Sequence, residues 1–477
     1  MSLFENLKNS ILGKNKSKSL LSQNYSDIQQ SEDEFDRKKV IQERFDFAID
    51  EIKKLNAFAE EIENLGGHTH WKVKEVSEKV LNLIEDEPEI LYLTSKSSSD
   101  KTLGMYACDY GLIPVLERIV LDEKAVLIQT RVQQNSLGMY ACEKGLSDIV
   151  LKILDYDKAN TQRDLLGKNI GMIALQYGLD KVAEKAIQHP EAVLQQDVDG
   201  DCMGHYSAIF NREEIAFKLL ENPEIALIRN TEGLNMGMSA VEHEAENIAL
   251  KALDIPEVAL QQEYVYHMTI GMMATEKDME SVVIKAMKNS EANKLLDKKD
   301  RNIGHYAAMN ILPQATMVAL DDFEMSTKLD CLGRNMGMYC ALAKMMPATL
   351  KALDNPVAST QQSNMGENIG MIAAKNRMEK CVLKALDNPV ASHQQDKLLE
   401  TIGIKAADKY LAEATLKALD IKDTLDLKNY EDHNILDYAS MIENAEVKEK
   451  VKEIFNEKQN QNESSLENES ISEAVSE

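Results

Sequence analysis

The chain has 477 residues, with 80 acidic and 54 basic side chains and a net charge of −26. This length exceeds one ordinary compact domain, so several domains or an extended array are expected. The acidic balance disfavours nucleic-acid binding, which needs clustered Lys and Arg, and it disfavours docking of a large basic surface onto anionic lipid. Only 5% of the residues are aromatic, which indicates packing by small and aliphatic side chains.

The first 97 residues precede any repeat. Residues 1–34 are polar; they are predicted to be disordered and lack the apolar core of a secretory signal. Residues 35–97 are predicted to form a helical N-terminal cap with a second helix at 71–91, and no apolar run reaches the roughly 18 residues of a membrane span. The first cap helix is indicated by apolar residues at spacings of 4, 3, 4 and 3: Ala48, Ile52, Leu55, Ala59 and Ile62.

Residues 98–456 contain a recurring motif, small polar–x–Gly–Met/His–x–small. Its glycines follow one another at 33 or 34 residues: Gly104, Gly138, Gly171, Gly204, Gly237, Gly271, Gly304, Gly337, Gly370 and Gly403. An eleventh copy has Leu436 at the glycine position. This regularity predicts about eleven copies of one structural unit.

Each copy predicts a turn, two helices and an extended return. Two residues before the glycine, ten of the eleven copies have Thr, Ser or Asn, which are favourable helix N-caps. The retained glycine, with a side chain three residues later that is always small, predicts close approach of a neighbouring backbone. One set of prolines fits the first turn of a second helix: Pro114, Pro313 and Pro347. A later set is predicted to stop that helix: Pro190, Pro223, Pro256, Pro356 and Pro389.

A unit of this kind cannot bury its apolar face alone, so the sequence predicts an all-α, elongated solenoid of stacked helix-turn-helix units. The 33-residue unit resembles the ankyrin repeat, whose signature is T-P-L-H-x-A. Residues 169–174 read N-I-G-M-I-A and residues 302–307 read N-I-G-H-Y-A, and His205 and His305 occupy the ankyrin histidine position. Asn usually replaces Thr, Gly replaces Leu and Met usually replaces His, so the chain looks like a divergent ankyrin subfamily.

The resemblance implies a concave partner-binding face made of turn tips and the exposed side of each first helix. The tip candidates vary in chemistry between units: Leu165, Leu166, Lys168, Val198, Asp199, Asp201, Glu232, Leu234, Leu332, Arg334, Met365 and Glu367. Such variation is expected on a surface whose contacts with a partner can change. It is equally expected at exposed positions where substitutions have no effect. Tyrosines recur two residues after the glycine and are interpreted either as binding hot spots or as packing between units: Tyr106, Tyr140, Tyr206, Tyr306 and Tyr339.

No catalytic, cofactor or metal site is predicted. The six cysteines form no C-x-x-C pair and are expected to be buried reduced thiols. His68 and His70 are too few ligands for a zinc site, and the sequence has no nucleotide-binding loop, hydrolase elbow or kinase motif. Residues 457–477 are predicted to be a disordered acidic tail.

These patterns predict a non-catalytic scaffold that binds a protein, with its negative charge favouring a partner with a basic surface. The composition is typical of a bacterial protein, which suggests a cytoplasmic location or export into a host cell as a host-interacting protein. Two alternatives stay open. One is a structural organiser that forms oligomers through residues 35–65, and the other is a recruiting subunit of an enzyme complex.

Overall fold

The computed structural model describes residues 34–55, 70–96 and 100–474, with the backbone alone at residues 70, 71 and 461–474. This part of the chain is helical, with one isolated β-bridge between Thr94 and Thr102 and no strand. The prediction of an all-α chain of many short helices is therefore confirmed. The chain divides into two compact units, Met1–Tyr206 and Ser207–Glu477.

The N-terminal cap region contains a helix at 34–55, a helix at His70–Asp86 and a 3₁₀ helix at Pro88–Tyr92. Buried Phe45, Ile52 and Ile84 form its core. The helix predicted at 71–91 therefore ends at Asp86, and a separate 3₁₀ helix begins at Pro88. Residues 1–33, 56–69 and 97–99 lie outside the described part, and with them Ala59, Ile62 and His68.

Every repeat begins with a first helix of about two turns. The first helices are Leu103–Asp109, Leu137–Glu143, Ile170–Tyr177, Met203–Ile209, Met236–Glu242, Ile270–Glu276, Ile303–Met309, Met336–Leu342, Ile369–Lys375, Ile402–Asp408 and Ile435–Ala439. In ten of them the predicted N-cap side chain accepts a backbone N–H bond. The predicted helix starts are therefore confirmed by their capping geometry.

A second helix follows in each repeat. The second helices are Ile113–Ile119, Ser147–Ile153, Asp180–Ala186, Glu213–Leu220, Glu246–Ala252, Glu280–Met287, Pro313–Ala319, Met346–Leu353, Glu379–Ala385 and Ala412–Leu419. Pro114, Pro313 and Pro347 lie in their first turns, as predicted, where no backbone N–H donor is lost. The last repeat ends in the long helix Ala445–Ala474.

A third, very short helix replaces the predicted extended return. These helices are Glu123–Val126, Asp157–Thr161, Pro190–Leu194, Pro223–Ala226, Pro256–Ala259, Ala292–Lys294, Phe323–Thr327, Pro356–Thr360, Pro389–His393 and Lys422–Thr424. The later set of prolines therefore opens a helix, whereas the sequence predicted only that it closes one. Before Pro356 and Pro389 the helix start is stabilised by an N-cap, because Asn355 and Asn388 each accept two backbone N–H bonds there.

Successive repeats pack closely at the motif glycines. A Cβ added to Gly370 would lie 2.6 Å from Cδ1 of Ile402 in the next first helix and 2.6 Å from Cβ of Ala385 in its own second helix. Close approach at this position was predicted, but the neighbour is a side chain of the next repeat and not its backbone. Within each unit, first helices contact first helices and second helices contact second helices of the adjoining repeat.

The N-cap asparagine also joins the ends of two helices. Asn335 Oδ1 accepts the N–H of Met338 at 2.9 Å, while its Nδ2 donates to the carbonyl of Ala358 and to Oε1 of Gln361, both at 2.8 Å. Gln361 then donates to the carbonyl of Thr327 in the preceding repeat at 2.8 Å. Asn169, Asn235 and Asn368 make the same pair of donor contacts. Threonine has no side-chain N–H for these contacts, which explains why asparagine is used so often here.

The C-terminal helix covers the last repeat with buried Val447, Val451 and Ile454. Lys450 on the same helix lies 2.9 Å from Asp420. The backbone stays helical to Ala474, so the segment predicted to be a disordered tail is described as helix over most of its length.

Candidate interaction surface at the turn tips

Several turns before the first helices are built around a buried aspartate: Asp197, Asp297, Asp330 and Asp396. In the turn Asp330–Arg334, Oδ1 of Asp330 accepts the N–H of Leu332 at 2.9 Å and that of Arg334 at 2.8 Å. The N–H of Gly333 bonds to the carbonyl of Asp330 at 2.9 Å, and Gly333 has a φ of +70°, which favours glycine. The side chain thus fixes the turn locally, as expected for an Asp-x-x-Gly sequence.

The second carboxylate oxygen of this aspartate binds a tyrosine of the following helix. The hydroxyl of Tyr306 donates to Oδ2 of Asp297 at 2.8 Å, and that of Tyr206 donates to Oδ2 of Asp197 at 2.8 Å. Burial, with the hydrogen bond to Asp330, raises the pKa of Tyr339 to about 12. The exposed fractions are 6% for Tyr106, 5% for Tyr206, 3% for Tyr306 and 9% for Tyr339.

The fifth tyrosine candidate, Tyr140, is half-buried and donates to Oδ1 of Asp109 at 2.7 Å. All five hydroxyl-bearing rings therefore lie largely inside the chain. This placement favours the interpretation that the tyrosines pack between elements, and the hydroxyls of Tyr206, Tyr306 and Tyr339 tie a turn aspartate to the following helix.

Successive turn tips are joined by backbone hydrogen bonds. In the second unit, Asn364 donates to the carbonyl of Leu332 at 2.8 Å, and Lys397 donates to that of Met365 at 3.0 Å. In the first unit, Val198 donates to the carbonyl of Leu166 at 2.9 Å. Because each tip is bonded to the next, their side chains form a continuous surface within each unit.

Side chains below the tips hold this surface in place. Gln395 donates to the carbonyl of Leu399 in its own turn at 2.7 Å and to that of Lys428 in the next repeat at 3.3 Å. Likewise, Arg163 donates to the carbonyl of Gly167 in its own turn at 2.9 Å and to that of Gln196 in the next repeat at 2.5 Å. The tip backbone is therefore ordered before any partner arrives.

Most of the tip candidates are accessible. Leu165, Leu166, Val198, Asp199, Glu232, Leu332 and Met365 are exposed, and Lys168, Asp201 and Arg334 are half-buried. Leu234 and Glu367 are exceptions, because both are buried. They come immediately before the N-cap, where the chain turns inward, and Glu367 pairs there with Lys375. As positioned here, these two side chains are not available to a partner.

Sequence reasoning missed several exposed tip residues. They are Tyr264, Val265, Tyr266, Leu398, Leu399 and Tyr430. Their turns lack the glycine of Asp-x-x-Gly: Leu399 itself adopts a φ of +59°, and the turn from Glu263 to Met268 is one residue longer. The signal that could have found them is the 33-residue phase, which the missing glycine does not disturb.

Most of the cysteines and the first-helix histidines His205 and His305 are buried. Five of the six cysteines are buried and Cys331 is exposed at a tip; burial raises the pKa of Cys340 to about 12. Burial also lowers the pKa of His305 to about 4, although its ring lies 3.2 Å from the carbonyl of Arg334. The described residues contain no group of three His, Cys, Asp or Glu side chains placed to hold a metal ion.

No family model matches the sequence, and the search of curated proteins finds no match. Within the described residues, no helix is both long and apolar enough to cross a membrane.

Proposed function

We propose that the chain is a non-catalytic scaffold whose repeats stack as a divergent ankyrin-like solenoid and which binds a protein partner through its turn tips. The observation that supports this most is the ladder of hydrogen-bonded tips. The frame beneath the tips is the same in repeat after repeat, whereas the exposed side chains differ: leucines at 165 and 166, valine and aspartate at 198 and 199, methionine at 365.

A preformed surface of this kind favours binding because little conformational entropy is lost on association. The carbonyls under the tips are already bonded, as the contacts of Gln395 and Arg163 illustrate. Exposed aliphatic side chains supply apolar contact area, and charged neighbours select the partner. The net charge of −26 would steer the chain as a whole toward basic surfaces.

The proposal assigns no reaction to the chain. Polar groups that a catalytic site would need are used to hold repeats together: Asp330 builds a turn, His305 bonds across to the next repeat, and Glu280 caps the next second helix through N–H bonds of 2.7 and 2.9 Å. We further propose a bacterial setting, in the cytoplasm or in a host cell that receives the protein. A recruiting role within an enzyme complex would use the same surface.

The experiment is affinity capture with the full chain, followed by mass spectrometry. A tip variant combines Leu165→Ser, Leu166→Ser, Leu332→Ser and Met365→Ser. A matched control combines Val357→Ser and Val390→Ser, exposed aliphatic residues on third helices. Proteins captured by the parent should be lost with the tip variant and retained with the control. If the captured set is the same for all three chains, the proposal is wrong.

A second candidate function, oligomer formation through residues 35–65, is favoured by exposed apolar residues on the helix 34–55. Val40 and Phe47 are exposed and lie seven residues apart, so they share one helix face. Phe35 is exposed on the same helix. Light scattering separates the two functions. If an oligomer depends on this segment, deletion of residues 1–65 should reduce the number of chains per particle. If it does not, that number should stay the same.

A further inference from the structure

The turn tips of the second unit carry a surface of unusual composition for this chain. We define the basic tip strip as Lys298, Lys299, Leu332, Met365, Lys397 and Leu398. Its aliphatic members are 47% exposed at Leu332, 52% at Met365 and 53% at Leu398. These three occupy the same position in three successive turns, so they form one apolar row.

The strip is continuous because its backbone is hydrogen-bonded from turn to turn. Cys331 donates to the carbonyl of Lys299 at 2.9 Å, which joins the lysine turn to the leucine turn. Asn364 and Lys397 extend the ladder to Leu332 and Met365, and Tyr430 donates to the carbonyl of Leu398 at 2.9 Å. The apolar row therefore has Lys298 and Lys299 at one end, and Lys397 directly precedes Leu398 at the other end.

The charge of the strip is opposite to that of the whole chain. The carboxylates nearest to it are committed to other groups: Asp297, Asp330 and Asp396 each accept backbone N–H bonds within their own turns. Glu367 pairs with Lys375, and Glu400 pairs with Lys405. Asp300 is an exposed carboxylate that follows Lys298 and Lys299 in the same turn. The exposed groups therefore favour an anionic ligand locally.

We propose that the basic tip strip binds an extended segment of a protein partner in which acidic and apolar residues alternate. This inference rests on the proposed function and adds the chemistry of the partner. Apolar side chains of the segment would cover Leu332, Met365 and Leu398 and provide affinity. Carboxylates would pair with Lys298, Lys299 and Lys397 at the edge, where charges affect association rate and specificity more than affinity.

The test is fluorescence anisotropy with the full chain and three labelled peptides of alternating residues, (Glu-Leu)6, (Lys-Leu)6 and (Glu-Ser)6. The Glu-Leu peptide should bind at least about tenfold more tightly than either other peptide, a difference of about 1.4 kcal/mol. The triple variant Leu332→Ser, Met365→Ser and Leu398→Ser should weaken its binding about tenfold. The variant Lys298→Glu, Lys299→Glu and Lys397→Glu should do the same and should reduce the salt dependence.

The matched control is Val357→Ser with Val390→Ser, which removes exposed aliphatic side chains from third helices of the same unit and should leave binding unchanged. Absent binding, tighter binding of the Lys-Leu peptide, or equal loss with the control would each overturn the inference. Thermal unfolding of every variant is measured as a control, to check that the fold is kept. Protein capture that depends on Leu165 and Leu166 alone would sustain the proposed function while this inference fails.

Discussion

The ammonium of Lys405 lies 2.7 Å from Oδ2 of Asp396, where other repeats place a tyrosine hydroxyl. Lys405 stands two residues after Gly403, the same position as Tyr306 after Gly304. Its side chain is 3% exposed and also lies 2.5 Å from Glu400. The buried turn carboxylates of Asp197, Asp297, Asp330 and Asp396 thus each have a side-chain donor, either a tyrosine hydroxyl or the Lys405 ammonium.

Lys405→Met should destabilise the last repeats by about 3–5 kcal/mol, because it leaves two carboxylates without their cation inside the chain. Lys405→Tyr should cost less, since the tyrosine hydroxyl can donate to Asp396 as it does elsewhere. Hydrogen exchange resolved by peptide measures this locally. Equal protection in the Met variant and the parent would contradict the assigned role.

The same pair predicts a change at alkaline pH. Although burial lowers the pKa of Lys405, the hydrogen bonds to Asp396 and Glu400 outweigh this and raise it above 10.5. A raised folded-state pKa of a base means that the stabilisation is complete below 10.5 and is lost as pH rises through the folded value. Urea midpoints measured above pH 10 should fall less for Lys405→Met, which has no proton to lose at this position, than for the parent.

His305 predicts a change at acidic pH. Its pKa is lowered to about 4 by burial, so between about 4 and 6.5 the unfolded chain binds the proton that the folded chain excludes. Stability contributed by neutral His305 is present above pH 6.5 and is lost as pH falls toward 4, by roughly 3 kcal/mol at most. His305→Met should remove this part of the acid sensitivity, because Met338 fills the equivalent position in the next repeat. Parallel acid titrations of parent and variant by circular dichroism test it; coincident curves would refute the assignment.

The side chain of Asn335 contributes to stability both as an N-cap and through its Nδ2 bonds, and substitutions should separate the two contributions. Asn335→Thr keeps an oxygen for the N–H of Met338 but loses the Nδ2 bonds to Ala358 and Gln361, at a cost of about 1–3 kcal/mol. Asn335→Ala also loses the cap and should cost about 1 kcal/mol more. Urea unfolding of the two variants measures both steps, and equal stability of Thr and Ala variants would exclude the capping contribution.

Gly370 predicts a coupling between neighbouring repeats. Gly370→Ala should destabilise by about 1–3 kcal/mol, because the new methyl group meets Cδ1 of Ile402 and Cβ of Ala385. Ile402→Val removes Cδ1 and should be less harmful in the Gly370→Ala background than alone. A double-mutant cycle measures this coupling, and additive free energies would show that the two residues do not press on each other.

The sequence predicted the first and second helices well, because N-cap side chains and first-turn prolines have strong local preferences. It did not reveal the third helix, since three to five residues are too few to show a helical period. Pro356 looked like a stop signal, and only the capping bonds of Asn355 show that it starts a helix.

The sequence predicted only part of the candidate surface, for a similar reason. The prediction relied on turns that contain glycine, so it included Leu332 and Met365 and omitted Leu398, whose turn has Leu399 at positive φ. The tyrosines were correctly placed on the first helix, but their partner, the spare oxygen of a turn aspartate, depends on three-dimensional proximity. Spacing alone could not decide between packing and partner contact.

The bonds of Gln361 have a consequence for how such a chain changes in evolution. Its amide donates backward to a main-chain carbonyl, an acceptor that every amino acid provides, so the fit between two copies does not depend on which copy comes before. Duplicating or deleting a whole 33-residue period therefore keeps donors and acceptors matched at the junction. Each such event would lengthen or shorten the row of tips by one copy, giving natural selection a surface of adjustable length.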